Sequence, residues 1–274
     1  MAERSVLVSG ASSGIGRATA LHLEQQGWKV FAGVRTEAAA LALQKASAGS
    51  LVTVMLDVTD ARQIAAVAKT IGPRLDALVN NAGIAVAAPL EFLPVDELRH
   101  QLEVNVVGQV ALTQALIPAL REARGCIVNI TSIGGLVAGS IIGAYHASKF
   151  ALEAISDTMR IELAPWGIEV VAVEPSKIAT PIWSTSSTTS DRVLGDNQDK
   201  AMALYGEQIL AARDSASKAE RNGLLPMEVA RVIGRALAAS RPKTRYLVGN
   251  DARIAGKVIA RLPDRTRDRL LRTR

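Results

Sequence analysis

Tyr145 and Lys149 stand four residues apart in the stretch GAYHASKFAL. On a helix, positions i and i+4 share a face, so a phenol and an ammonium would meet there. They could be surface neighbours, or an acid/base and the group that tunes it. A free tyrosine titrates near pH ~10, too high for efficient proton exchange at neutrality. A nearby cation favours the phenolate and lowers that value. Spacing does not choose between the two readings, so the rest of the chain must supply something for the pair to act on.

The stretch SGASSGIG, residues 9–16, supplies a candidate ligand site. Gly10, Gly14 and Gly16 let a backbone turn sharply and approach a ligand closely. The helix expected after them offers free N–H groups and positive dipole density to a pyrophosphate. The GxxxGxG spacing differs from the GxGxxG and GxxxxGK[ST] phosphate loops. Its place between a strand and a helix is what points to nucleotide binding.

Those elements come from alternating patterns. Strand-like runs fall at 5–10, 28–34, 51–56, 75–83, 125–132, 168–175 and 245–249. Amphipathic stretches fall at 14–27, 37–46, 60–72, 95–121 and 145–164, with a further helical stretch at 199–223. Strand and helix in alternation predict an α/β fold: one doubly wound, Rossmann-type parallel sheet of about seven strands with helices on both faces. No linker divides residues 1–274, so a single domain is expected. The run STSSTTS (184–190) suits a flexible linker, but it follows a strand end, where ligands sit in such sheets. We read 184–223 as a mobile substrate lid.

Composition agrees. Apolar residues make up 49% of the 274 and aromatics only 3%, which suits a buried parallel sheet built from small aliphatic side chains. Cys126 is the only cysteine, and no secretion signal or membrane-spanning run is visible, so a cytoplasmic setting is expected. The formal charge of +6 lies in residues 252–274, with eight basic residues against two acidic. A neutral body with a basic tail argues against a nucleic-acid binder. The tail reads as a solvated helical end, with membrane-surface contact as the alternative.

Blocks further along the chain carry a resemblance. SGASSGIG, NNAG (80–83), VNVVG (104–108), NITS (129–132), YHASK (145–149) and VEPSKIATPIW (173–183) come in the order and spacing of the short-chain dehydrogenases/reductases. The match covers residues 5 to 183, and YLVGNDA near the end resembles the hydroxysteroid and retinol dehydrogenase-like branch. The resemblance implies a nicotinamide dinucleotide held by Gly10, Ser12, Ser13, Gly14, Ile15 and Gly16. Asp57 and Val58 would lie at the adenine, and Asn81, Ala82 and Gly83 beside the adenosine ribose. Pro175, Ile178 and Thr180 would lie at the carboxamide. Asp57 has a structural alternative as the N-cap of the following helix, and Asn81 one as a tie between strands.

An acidic residue ending the second strand would select NAD(H). Val34 stands there instead, followed by Arg35, and an arginine can pair with a 2′-phosphate. NADP(H) is therefore expected over NAD(H), with Ser13 as a further hydroxyl donor.

With that cofactor, Tyr145 becomes the acid/base and Lys149 its tuner, also reaching the cofactor ribose. Ser132 would hold the substrate oxygen. Asn105, locally unfavourable inside a helix, is by resemblance the relay residue that holds a water. One departure stands out: Ser176-Lys177 follows Pro175 where the family has glycine, adding a Cβ and a charge beside the nicotinamide.

Val86, Ala87, Ile141, Ile142, Trp183, Met202 and Tyr205 are candidates for the substrate wall. Their apolar character suits a lipophilic ketone, aldehyde or alcohol, steroid- or retinoid-like. No metal site is expected. The resemblance further implies a homodimer or homotetramer, joined through 95–121 and 145–164. The competing function is a nicotinamide-nucleotide sensor or scaffold without turnover.

Overall fold

The computed structural model describes residues 4–272. Seven strands form one parallel sheet: β1 Ser5–Val8, β2 Lys29–Val34, β3 Val52–Met55, β4 Ala77–Asn80, β5 Cys126–Ile130, β6 Glu169–Pro175 and β7 Arg245–Val248. Their order is β3-β2-β1-β4-β5-β6-β7. The order reverses between β1 and β4, and an open α/β sheet leaves a crevice at the carboxyl ends of the strands at such a switch.

Alternate strand residues face opposite layers. Val6, Val8, Val30, Ala32, Val128 and Val171 pack into one cluster, and Leu7, Phe31, Leu78, Ile127 and Val170 into the other. The first layer is covered by α1 Gly14–Gln25, α2 Glu37–Ala46 and α9 Pro226–Ala238. The second is covered by α3 Ala61–Ile71, α5 Gly108–Ala123 and α6 Gly143–Leu163. Both faces of the sheet are dry, which is why its strands read as near-continuous apolar runs.

The long helix expected over 95–121 is two helices, α4 Val95–Leu102 and α5, joined by a π-helical turn at Glu103–Val107. The Ser/Thr run is helical rather than a linker. It lies in α7 Ile182–Leu194, followed by α8 Gln198–Asn222. Ser187 and Thr188 bond back to the carbonyls of Trp183 and Ser184, so the helix absorbs its own hydroxyls. Ser186 and Ser190, one turn apart, are buried on its inner face. The tail forms α10 Asn250–Lys257 and α11 Asp264–Leu271. It is not merely solvated, because Gly256 abuts Leu136, and Asp268 and Arg272 share an open pocket with Ser140 and Gln208. No helix among the described residues is long and apolar enough to cross a membrane.

Glu24 on α1 is buried and ties down the loop before β3, accepting hydrogen bonds from Ser47 Oγ and from the amides of Ala48, Gly49 and Ser50. Burial pushes its carboxyl up, but the hydrogen bonds outweigh burial and hold it below its ordinary value of 4.5. A depressed folded pKa contributes stability above the unfolded value and loses it as pH falls through the folded one. Stability is therefore expected to decline below pH 4.5. Glu24→Gln is expected to cost about 2 kcal/mol at neutrality and to flatten that decline. Thermal unfolding midpoints measured from neutral to acid pH, with and without the substitution, check both.

Candidate active site

The glycine loop leaves β1 at the switch point. Gly10 and Gly14 have φ of +65° and +53°, a region costly for side-chain-bearing residues. A Cβ on Gly16 would meet the Gly10 carbonyl oxygen, so the third glycine closes the turn on itself. Asn81 Nδ2 donates to the carbonyls of Ser9 and Gly10 at 2.9 and 3.1 Å. Its structural role is thus visible: it ties the end of β4 to the loop. Ser9 Oγ accepts from the amides of Asn81 and Ala82.

Thr36 caps α2 and Asp60 caps α3 through their side chains, whereas Ser13 begins α1 with no side-chain cap. The α1 N-terminus thus faces the crevice with its amides uncapped by a side chain and with Ser12 and Ser13 exposed. Thr180 stands opposite, 3.0 Å from where a Gly14 Cβ would lie. These residues fit a dinucleotide pyrophosphate.

Asp57 is not the helix cap; Asp60 takes that role. Asp57 Oδ1 accepts from Thr59 N and Oγ1. Burial raises its carboxyl, but the Thr59 bonds and the charge of Arg35 bring it below its ordinary value. Arg35 and Asp57 therefore share one end of the crevice. Arg35 is exposed and, among the described residues, makes no ion pair. Val58 and Ile178 are buried in the core and Ile15 packs partly buried against it.

At the other end, Ser132, Tyr145 and Lys149 come together. Ser132 follows β5 and accepts from the Gly134 amide at 3.0 Å. Lys149 is buried, donates to the Ile130 carbonyl at 2.8 Å and lies 5.7 Å from the centre of the Tyr145 ring. Burial pushes the Tyr145 phenol up, and a hydrogen bond with Ser132 pulls against it without overcoming it. The expected lowering by the lysine is therefore not seen in the protein alone, where desolvation of the phenol wins. Burial also draws the Lys149 ammonium down, to about 8.

Asn105 sits within the π turn. Its Oδ1 accepts from Ile84 N, and its Nδ2 donates to the Ile84 carbonyl and to Ser148 Oγ. The side chain thus clamps the loop after β4 to α6. His146 was missed by the sequence reading. Its Nδ1 lies 2.9 Å from the Gly134 carbonyl. A carbonyl only accepts, so that nitrogen carries the proton, and the ring braces the turn that holds Ser132.

Both side chains of the departure at Ser176-Lys177 are engaged by neighbouring elements. Lys177 Nζ bonds Ser215 Oγ on α8 at 3.0 Å. Ser176 Oγ points at Gly249, where a Cβ would lie 2.3 Å from it. Gly249 also has φ +102°. Gly249→Ala is expected to destabilise by about 1–3 kcal/mol from backbone strain, plus the clash. Adding Ser176→Gly is expected to recover only the Ser176 share of the clash, since Leu224 Cδ1 also lies 2.9 Å from the added Cβ. Denaturant midpoints of the two variants and the unaltered protein give the two parts.

The candidate substrate residues divide. Val86 and Ile141 are buried in a satellite core with Val193, Leu194 and Ile209, and Ala87, Met202 and Tyr205 pack against it. This core fastens helices α7 and α8 to the loop after β4. Trp183 Nε1 donates to the Ile178 carbonyl, and Tyr205 donates to Glu91 Oε2. Ile142 immediately precedes α6. Ile141 adopts φ +70°, a strained state for a β-branched residue, in the turn that leads into Tyr145.

A sequence profile of the short chain dehydrogenases matches residues 4–191. The chain is 37% identical to mouse retinol dehydrogenase 5, over 97% of this chain and 87% of that protein. It is 34% identical to the NADPH-dependent 3-dehydrocapnine reductase of Ornithobacterium rhinotracheale, over 97% and 95%. A crystal structure of a short-chain dehydrogenase from Streptomyces avermitilis superposes with a TM-score of 0.78 at 30% identity, covering 94% of this chain and 92% of that one. The chain belongs to the short-chain dehydrogenase/reductase family, oxidoreductases that use a nicotinamide cofactor on alcohol and carbonyl groups. Within the family it falls in the branch that includes retinol dehydrogenases and a 17-beta-hydroxysteroid dehydrogenase.

Proposed function

We propose that this protein interconverts a lipophilic ketone or aldehyde and the matching alcohol with NADP(H). The observation that carries the reading is the meeting of Ser132, Tyr145 and Lys149 at one end of a crevice whose other end holds an exposed Arg35. The glycine loop, Thr180 and the Arg35–Asp57 end would hold the dinucleotide. When bound, it would exchange a hydride with the substrate carbon. Tyr145 would exchange the proton at the substrate oxygen, Ser132 would donate a hydrogen bond to that oxygen, and Lys149 would favour the phenolate by its charge.

Support for NADP(H) comes from Val34-Arg35 at the end of β2 and from the relative named for NADPH. Support for a lipophilic substrate comes from the apolar satellite core under the lid and from relatives named for retinol and hydroxysteroid. The same reading has the protein act as a homo-oligomer, with Val107, Phe150 and Ile161 exposed on the helices concerned.

Paired thermal-shift titrations with NADPH and NADH, followed by turnover on retinoid and steroid alcohols and ketones, test this. A ligand at one hundred times its Kd stabilises the folded state by about 2.7 kcal/mol, so a larger shift with NADPH is expected. A larger shift with NADH would sink the Arg35 assignment. Intact binding with no turnover on the panel would favour a nucleotide sensor.

A further inference from the structure

Helix α6 carries a charged stripe beyond the two residues used so far. Tyr145, Lys149, Glu153 and Asp157 follow one another at four-residue spacing and so share one face. Glu153 and, on the adjoining β6, Glu174 are buried, 6% and 1% exposed. The cation that meets them is Arg245 on β7. Its Nη2 lies 3.0 Å from Glu153 Oε2 and 2.8 Å from Asp157 Oδ2, and its Nε lies 3.2 Å from Glu174 Oε1. Arg160 pairs with the other Asp157 oxygen at 2.6 Å. One guanidinium thus serves three carboxyl groups. Glu153 Oε1 is enclosed with no hydrogen-bond partner, and Glu174 Oε1, also enclosed, has only the Arg245 Nε contact and no well-aligned hydrogen bond. Two buried carboxyl groups that share one guanidinium do not readily both ionise, and a proton on Glu174 would supply the donor that the enclosed oxygens lack.

We propose that Glu174 keeps its proton at neutrality beside the Glu153 carboxylate and that this pair sets the charge on Lys149 and with it the pH range over which Tyr145 exchanges its proton. The inference rests on the reading of Tyr145 and Lys149 as the acid/base and its tuner. Burial works against Lys149 as a cation, and the Glu153 carboxylate one turn away works for it. Glu174 is pushed up to about 7 by burial first and the Glu153 charge second, with Arg245 opposing. As pH rises past that value Glu174 loses its proton, and a second carboxylate charge joins that of Glu153. That happens as Lys149, drawn to about 8, would otherwise begin to lose its own proton. The pair thus keeps the ammonium in place at the alkaline end. From β5, the neutral Ile130 carbonyl accepts from Lys149. Asp251 and Arg253 of α10, which packs on β7, are both exposed.

The test is a 13C NMR titration of the full chain labelled at lysine, with the Lys149 signal assigned by its loss in Lys149→Arg. Glu153→Gln is expected to lower the Lys149 midpoint by about one unit, a tenfold loss of proton affinity. Glu174→Gln, which cannot ionise, is expected to lower it by a smaller step, about threefold. Folding of each variant is confirmed by thermal unfolding. Should Glu153→Gln not fold, Glu174→Gln decides alone. An unchanged midpoint in folded Glu174→Gln overturns the role of the Glu174 proton, whatever Glu153→Gln does. Turnover is then followed against pH. In Glu153→Gln the limb that reports Tyr145 ionisation is expected to move alkaline with the KM for NADPH unchanged, which a merely structural role would not produce. Midpoints that move in a protein without turnover would leave the carboxyl pair standing and remove the oxidoreductase reading instead.

Discussion

Tyr145→Phe is expected to lower kcat by about two to four orders of magnitude while leaving NADPH binding unchanged. The substitution removes one oxygen. The ring keeps its place, because it packs against Gly134, where a Cβ would lie 3.3 Å from Tyr145 Cε1. Ser132 keeps its bond from the Gly134 amide, so the turn beside it does not rearrange. The group lost is the one that exchanges the proton. Direction matters as well. Burial holds the phenol above its ordinary value, so alcohol oxidation, which needs the phenolate, is expected to climb with pH on the alkaline side. Carbonyl reduction, which needs the protonated form, is expected to fall over the same range. Steady-state rates in both directions, beside a cofactor titration of the variant, check this. Turnover near that of the unaltered protein would take the proton from Tyr145 and give it to another group.

Arg35→Glu is expected to weaken NADPH binding by about 10- to 100-fold, since a hydrogen bond to a charged group contributes about 1.5–3 kcal/mol and 1.4 kcal/mol is tenfold. NADH binding is expected to hold or improve, because a carboxylate near the end of β2 can accept from a ribose hydroxyl. Folding should barely change: Arg35 is exposed, and surface substitutions of this kind stay within about 0.5 kcal/mol. Asp57 would lose the help of the guanidinium but keep both Thr59 bonds. Calorimetric titration with each cofactor gives the ratio. An equal loss for both, or for neither, would show that Arg35 does not read the phosphate.

Much of this was legible in the chain, for physical reasons. A parallel sheet dry on both faces announces itself as apolar runs, so all seven strands were found with ends off by a few residues. The glycine loop and the Tyr145–Lys149 pair were legible because each is local. What escaped was long-range or masked by composition. Helix α9 was not read, although Val229, Val232, Ile233 and Ala236 lie on one buried face. The Ser/Thr run hid a helix because hydroxyl residues usually signal turns; the spacing of Ser186, Ser190 and Leu194 was the available sign. The carboxyl cluster could not be read at all, since Arg245 comes from a strand far along the chain. The direction of Lys177 was likewise set by a partner, Ser215, that no local pattern reveals.

The π turn at Glu103–Val107 has a consequence for how this segment can change. A helix turns once in 3.6 residues, so one residue more or less rotates everything beyond it by about 100°. The extra residue in the turn therefore acts as a phase shift between α4 and α5. Upstream it lets Gln101 reach the amide of Val86; downstream it aims Leu112, Leu116 and Leu120 at the sheet. Deleting the one extra residue here would restore a regular helix with both faces kept, whereas a deletion elsewhere in α5 would turn the face beyond it towards solvent. In a surface loop such a deletion is absorbed within a few bonds. In the body of α5 it would propagate to the end of the helix, so a change in length is better borne at 103–107 than along the helix that follows.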